Sequence, residues 1–185
     1  MSDCRGFDPS SWDALLARCA DELARLTADE RNWLKTHLQT IATCQTELDQ
    51  LFRQALGPQS CTLCNGRCCD CGRHHFTLTN LLGYLLQDRV PPRPDAARPC
   101  PFLGEQGCIL DAPFRPFNCV TFICEEVEAG LDASGLRRFY QLEKCLRATY
   151  EEIAARYPAA SLRGLLLALE RVGEQSLLKS PATRE

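Results

Sequence analysis

Nowhere in this 185-residue chain does an apolar run approach the roughly 20 residues that a membrane-spanning helix takes. Neither sign of charge prevails, with 21 lysines and arginines against 24 aspartates and glutamates. Such a balance gives no general attraction to anionic lipid or nucleic acid, and there is no basic helix to supply one. No glycine-rich loop follows a strand-like run, so the usual cradle for a nucleotide or S-adenosylmethionine is missing. A radical-type Cys-x3-Cys-x2-Cys run is missing too, as are internal repeats and low-complexity tracts. The opening residues, Met1-Ser-Asp-Cys-Arg-Gly6, have neither the basic nor the apolar region of a signal peptide, and a cytoplasmic protein is expected.

What the chain has in excess is cysteine. There are 13. In a reducing compartment that number argues for metal ligation over a disulfide framework, and an odd count cannot pair fully.

The expected fold class is mainly α, with an N-terminal helical hairpin and C-terminal helices packed around an irregular, cysteine-rich metal-binding module. Asp8 and Pro9 suit the cap and first position of a helix. Trp12, Leu15, Leu16, Cys19, Leu23 and Leu26 then recur at the spacing of one buried stripe, with Cys19 as a small core hydrophobe. Thr27 to Glu30 has the form of a capping box and opens a second helix with Leu34, Leu38, Ile41, Leu48, Leu51, Phe52 and Ala55 on its apolar face, ended by Gly57-Pro58. Joined by a tight turn, the two helices read as an antiparallel hairpin over 1–56, with His37 and Cys44 packed near its buried face.

From Gly57 to Cys124 the periodicity fails and proline and glycine are dense, as in Pro91-Pro92-Arg93-Pro94, Pro99, Pro101, Gly104, Gly107, Pro113 and Pro116. One short helix is expected, from Thr79 to Gln87. A loop this long inside a compact domain needs something to order it, and the expectation is that bound ions do so rather than an apolar interior. C-terminal helices over 125–173 follow. One carries Leu136, Phe139, Tyr140, Leu146, Tyr150, Ile153 and Tyr157 and stops at Pro158; the other is capped by Ser161, carries Leu162, Leu165, Leu166, Leu169 and Val172, and ends at Gly173. Residues 174–185 read as a flexible tail.

The middle segment, 57–124, holds the chemistry. Cys61-x2-Cys64 is a chelating knuckle, two thiolates converging on one ion across a tight turn. After an Asn65-Gly66 turn come Cys68 and Cys69. Adjacent side chains on extended backbone point opposite ways, so this dipeptide is expected to face two neighbouring sites or a polynuclear cluster. Cys100, Cys108, Cys119 and Cys124 supply the distal half. Cys61, Cys64, Cys68, Cys69, Cys100, Cys108, Cys119 and Cys124 make eight ligands, enough for two Cys4 sites once the halves meet. A structural zinc ion contributes roughly 10–16 kcal/mol towards such folding. Arg67, Arg73, Arg93, Arg98 and Arg115 lie close in sequence to the thiolates and could offset their charge. Cys71 is read as a bystander, with an extra ligand or a redox-active thiol as the alternatives, and His74-His75 as bystanders, with filling an open coordination position as the alternative. Cys145 is read as a helix residue.

The run Cys61-x2-Cys64-x3-Cys68-Cys69, then Cys100-Pro-Phe-Leu, Cys108-Ile-Leu, Arg115-Pro116, Cys119 and Phe122-x-Cys124, resembles the YkgJ-type cysteine-cluster family, a zinc- or iron-chelating domain family also labelled flagellin N-methylase-like. The resemblance covers about 61–124 and matches all eight of that family's cysteine positions; Leu110 stands where an aromatic often follows the isoleucine. It implies Zn2+ or iron, including an iron–sulfur cluster, on those eight thiolates.

Two functions follow as expectations. The first is a metal-binding protein whose ions order 57–124 and build a surface for a protein partner. The alternative is an iron–sulfur redox or accessory protein for a modifying enzyme such as a protein methylase. Neither zinc nor iron is favoured by spacing, no catalytic residues are assigned, and nucleic acid and membrane are not expected as partners.

Overall fold

The computed structural model describes residues 9–64, 66–105 and 107–179. The expected Asp8 cap and Cys4 lie outside the described residues. The protein is mainly helical, and its two-stranded hairpin is the one sheet among those residues.

Helix α1 (Pro9–Ala24) buries Trp12, Leu15, Cys19 and Leu23, the stripe its spacing dictates. Helix α2 (Ala28–Gln54) starts at Thr27, whose hydroxyl accepts the Glu30 N–H at 3.2 Å. The capping box is only half made. The Glu30 carboxylate is aimed instead at Arg156 Nε (2.7 Å) and the Tyr157 hydroxyl (2.6 Å), since a guanidinium and a phenol offer it stronger bonds than one backbone N–H.

The expected α1–α2 hairpin is not the main pairing. Helix α2 packs chiefly on α7 (Ala133–Arg156), burying Leu34, Leu38, Ile41 and Leu48 with Phe139, Leu142, Leu146, Tyr150 and Ile153 in one core. Helix α1 turns Trp12 towards Phe76 and Phe102, at ring-centroid distances of 6.2 and 6.4 Å. Tyr140, expected on the buried stripe, is exposed and hydrogen-bonds Glu128; Leu142 takes the core position.

The middle segment is better ordered than its composition suggests. Leu56 adopts a left-handed φ of 54° and breaks α2, so Gly57-Pro58 opens a new helix, α3 (Gly57–Leu63), instead of ending the old one. A 3-10 segment, Arg67–His74, follows the left-handed Gly66. Helix α4 (Leu78–Leu85) carries a complete capping box between Thr77 and Asn80. Strands β1 (Leu103–Gly104) and β2 (Gly107–Cys108) pair antiparallel, Leu103 opposite Cys108. Short helices α5 (Phe117–Thr121) and α6 (Glu125–Ala129) lead into α7.

Nine apolar side chains of this segment are buried in the common core: Phe76, Leu78, Leu81, Leu82, Tyr84, Phe102, Leu110, Phe114 and Phe117. The expectation that ions rather than an apolar interior shape it is therefore corrected. Its aromatic residues are far apart in sequence and show no periodicity, yet they stack on folding, Phe76 on Phe102 at 4.6 Å and Tyr84 on Phe114 at 4.2 Å.

The last helix, α8 (Leu165–Val172), starts four residues beyond the expected Ser161 cap. Gly164, with φ of 91°, fits beneath the His74 carbonyl, and the Leu165 N–H donates to Phe76 O at 2.7 Å, which serves as the cap. Gly173 ends the helix as expected. The residues just after it are not a loose tail. Leu177 and Leu178 are buried, and the Leu178 N–H and the Ser176 hydroxyl both donate to Glu22 of α1.

Candidate metal centre

The eight cysteines of interest lie on short elements hung from this core. Cys61 is on α3 and Cys64 is its C-cap, with its thiol 3.5 Å from the Cys61 carbonyl. Cys68 and Cys69 are on the 3-10 segment, Cys108 on β2, Cys119 on α5, and Cys124 is the N-cap of α6. Cys100 precedes a turn closed by the Leu103 N–H on its own carbonyl (3.1 Å).

Electrostatic influence links thiols from the two halves of the pattern. Burial raises the Cys61 thiol above its ordinary pKa, and the fields of Cys68, Cys64 and Cys124 add to that. Burial pushes Cys69 to about 12, with Cys68, Cys100 and Cys108 adding. Cys100 is raised by burial and by Cys108, against the backbone N–H groups of Phe102 and Leu103, which favour its thiolate. Cys119 keeps solvent contact as a residue, yet the protein crowding its sulfur raises the thiol, helped by Cys108, Cys100 and Cys69. Cys61 is thus linked with Cys64, Cys68 and Cys124, and Cys69, Cys100, Cys108 and Cys119 are linked with one another, but Cys69 is linked first to Cys68, so the two sets run together at that dipeptide. Each draws on both halves of the sequence pattern, and the Cys68-Cys69 dipeptide joins them.

The backbone at that dipeptide is a 3-10 turn, not the extended chain expected. The left-handed Gly66 (φ 65°) precedes this turn, and the Cys68 and Cys69 side chains lie close enough to hydrogen-bond instead of facing apart. The two halves touch at Gly72, where a Cβ would lie 2.7 Å from Cys100 Sγ.

Of the five nearby arginines, Arg115 has a resolved influence on both sets, lowering Cys61 and Cys119. It is held by Asp49 at 2.8 Å and donates to Leu110 O. Arg93 pairs instead with Asp13, and Arg98 with Asp95 and Leu103 O. His75 Nδ1 lies 3.3 Å from Cys119 Sγ, and its pKa is lowered by burial and then by His74. His74 and Cys71 are exposed.

Sequence reasoning missed the polar network that pins the loop before Cys119. Gln45 Nε2 donates to Arg115 O at 2.6 Å, and Asn80 Nδ2 donates to the same carbonyl at 3.0 Å and to the Tyr150 hydroxyl at 2.9 Å. Gln45 is wholly buried and Asn80 nearly so, which pattern reading scores as mere interruptions of apolar stripes.

All twelve described cysteines are free thiols. Among the described residues, no three His, Cys, Asp or Glu side chains converge closely enough to hold an ion as they stand. The donor set nonetheless fits zinc or iron in kind, being soft thiol sulfur throughout. No helix is long and apolar enough to cross a membrane among those residues. No family model, no curated protein and no solved structure matches the chain.

Proposed function

We propose that this chain is a metal-binding protein that carries two four-cysteine sites, one on Cys61, Cys64, Cys68 and Cys124 and one on Cys69, Cys100, Cys108 and Cys119. The observation that carries the reading is that cysteines from both ends of the middle segment act on one another, Cys124 on the Cys61 thiol and Cys100 and Cys108 on Cys69, with Gly72 packed against Cys100 Sγ. The resemblance to YkgJ-type chelating domains supports the same ligands. Closing either set onto an ion needs rotation of cysteine side chains on short turns, while the apolar core stays fixed. Four thiolates around a divalent ion leave a net charge of -2 (2 - 4), and Arg115, which faces both sets, offsets part of it.

The ions are zinc or iron, and their role is structural: they fix a surface for a protein partner. Leu63, next to Cys64 in the chain, and Phe122, two residues before Cys124, support that role, being 86% and 59% exposed.

Elemental analysis of anaerobically purified protein tests the assignment. Two ions per chain are expected, with one lost in Cys64→Ser, one lost in Cys119→Ser, and none lost in Cys19→Ser. Equal loss in all three variants, or metal-free wild-type protein purified from metal-replete medium, overturns it. Absorbance near ~400 nm that dithionite bleaches identifies iron–sulfur; a colourless zinc protein excludes the redox reading.

A further inference from the structure

Outside the eight-cysteine region, two more thiols meet. Cys44 on α2 and Cys145 on α7 are separated by 101 residues in sequence, yet their sulfurs are 3.7 Å apart. That is non-bonded contact between sulfurs carried by the two longest helices of the protein, which pack against each other. The two thiols differ in access. Cys44 is 6% exposed, whereas Cys145 faces solvent. Glu47 and Arg138, paired with each other across the same two helices, flank them. Read along the chain, Cys44 and Cys145 have no link to one another, because no local pattern shows that α2 packs on α7 in this register.

We propose that Cys44 and Cys145 are a peroxide-responsive dithiol whose oxidation clamps α2 to α7. The Cys145 thiolate attacks a peroxide oxygen; an S–O bond forms, the O–O bond breaks, and hydroxide leaves. The resulting sulfenic acid is then attacked by the Cys44 sulfur. An S–S bond forms, the S–O bond breaks, and the departing oxygen leaves as water with the Cys44 proton. In total, two thiols and one hydrogen peroxide give one disulfide and two waters, and the two electrons pass to the peroxide. A small thiol from solvent attacks the exposed Cys145 sulfur and releases the Cys44 thiol; a second attacks the small thiol's sulfur in that mixed disulfide and frees Cys145, and the two small thiols leave as their own disulfide.

The roles follow from geometry. The exposed partner meets the oxidant, and the buried one resolves it from 3.7 Å away. Burial, then the neighbouring Cys145, pushes the Cys44 thiol up to about 12, which keeps it protonated and unreactive towards peroxide on its own. The reaction requires no metal and does not rest on the proposed ion sites. Its consequence is mechanical. Gln45, next to Cys44, and Tyr150 of α7 share the network that holds Arg115 O, so the clamp fixes the two helices beneath the loop that leads to Cys119.

The test uses the full-length, metal-replete chain treated with one equivalent of hydrogen peroxide, blocked with N-ethylmaleimide and digested with trypsin. Cleavage after Lys35, Arg53, Lys144 and Arg147 places Cys44 in 36–53 and Cys145 in 145–147, each the sole cysteine of its peptide. Expected is a linked pair of these peptides that dithiothreitol separates, together with a rise in the Tm of oxidised wild type that Cys145→Ala lacks. A Cys145 that proceeds to sulfinic acid with Cys44 still alkylated, or an equal Tm rise in Cys145→Ala, overturns the proposal.

Discussion

Removing the ions from the two proposed sites separates the work of thiolate–ion bonds from that of the apolar core. Nine buried side chains, from Phe76 to Phe117, anchor the middle segment. At about 1.5–3 kcal/mol each they contribute roughly 14–27 kcal/mol in total, an upper bound because unfolded chains are already partly collapsed. An ion present at a thousand times its Kd adds about 4 kcal/mol per site. These side chains are buried in the common core together with α2 and α7, so the apo-protein is expected to remain folded. A chain of this length shifts by about 2–4 °C per kcal/mol, which puts the loss at about 8–16 °C for each emptied site. The assay is anaerobic chelation under reductant, followed by far-ultraviolet circular dichroism, thermal melts and limited proteolysis. Helicity should persist while new cleavages appear in 61–75 and 100–124. Unchanged Tm and cleavage would refute an ion contribution, and complete loss of helicity would refute the primacy of the core.

Two further outcomes follow from single contacts. Gly164→Ala should cost about 1–3 kcal/mol in urea unfolding, because φ of 91° disfavours a side chain and a Cβ would overlap the His74 carbonyl; a neutral result would show that this turn relaxes freely. Glu30→Gln tests linkage: the hydrogen bond from Arg156 chiefly, and that from Tyr157, lower the Glu30 pKa against opposing burial, so its stabilisation is present above the ordinary glutamate range and is lost as pH falls through the folded value. The difference between wild type and variant should be at most about 1 kcal/mol at pH 7, since water screens the pair, and should vanish near pH 2; a difference that grows on acidification would reverse the sign of the argument.

Long helices were legible in the sequence because their faces repeat locally. Trp12, Leu15, Cys19 and Leu23 are buried as their spacing predicts, and Pro158 does stop α7. The errors lie where a distant group outcompeted a local one. Glu30 left its capping box for Arg156, 126 residues away, and Phe76 O displaced Ser161 as the cap of α8. The fate of α1 was decided by Phe76 and Phe102, which no periodic pattern links to Trp12. At the candidate site the sequence showed the spacing of the cysteines, but not which of them meet in space. That grouping depends on where α3, β2, α5 and α6 are hung, and these short elements are held by scattered aromatics and by Gln45 and Asn80.

The placement of those anchors bears on how an ion would bind. Between Cys69 and Cys100 the chain must close a loop of about thirty residues, and closure entropy grows only slowly with length but carries a fixed initial cost. If the ion alone closed that loop, its binding energy would be reduced by the cost of ordering the segment, as in small domains that are unfolded without metal. Here α4, the Phe76–Phe102 stack and the contact of Gly72 with Cys100 close it through the core. On the proposed reading, an ion would then have only to draw in side chains on short turns, and it could leave and return without unfolding the protein around it.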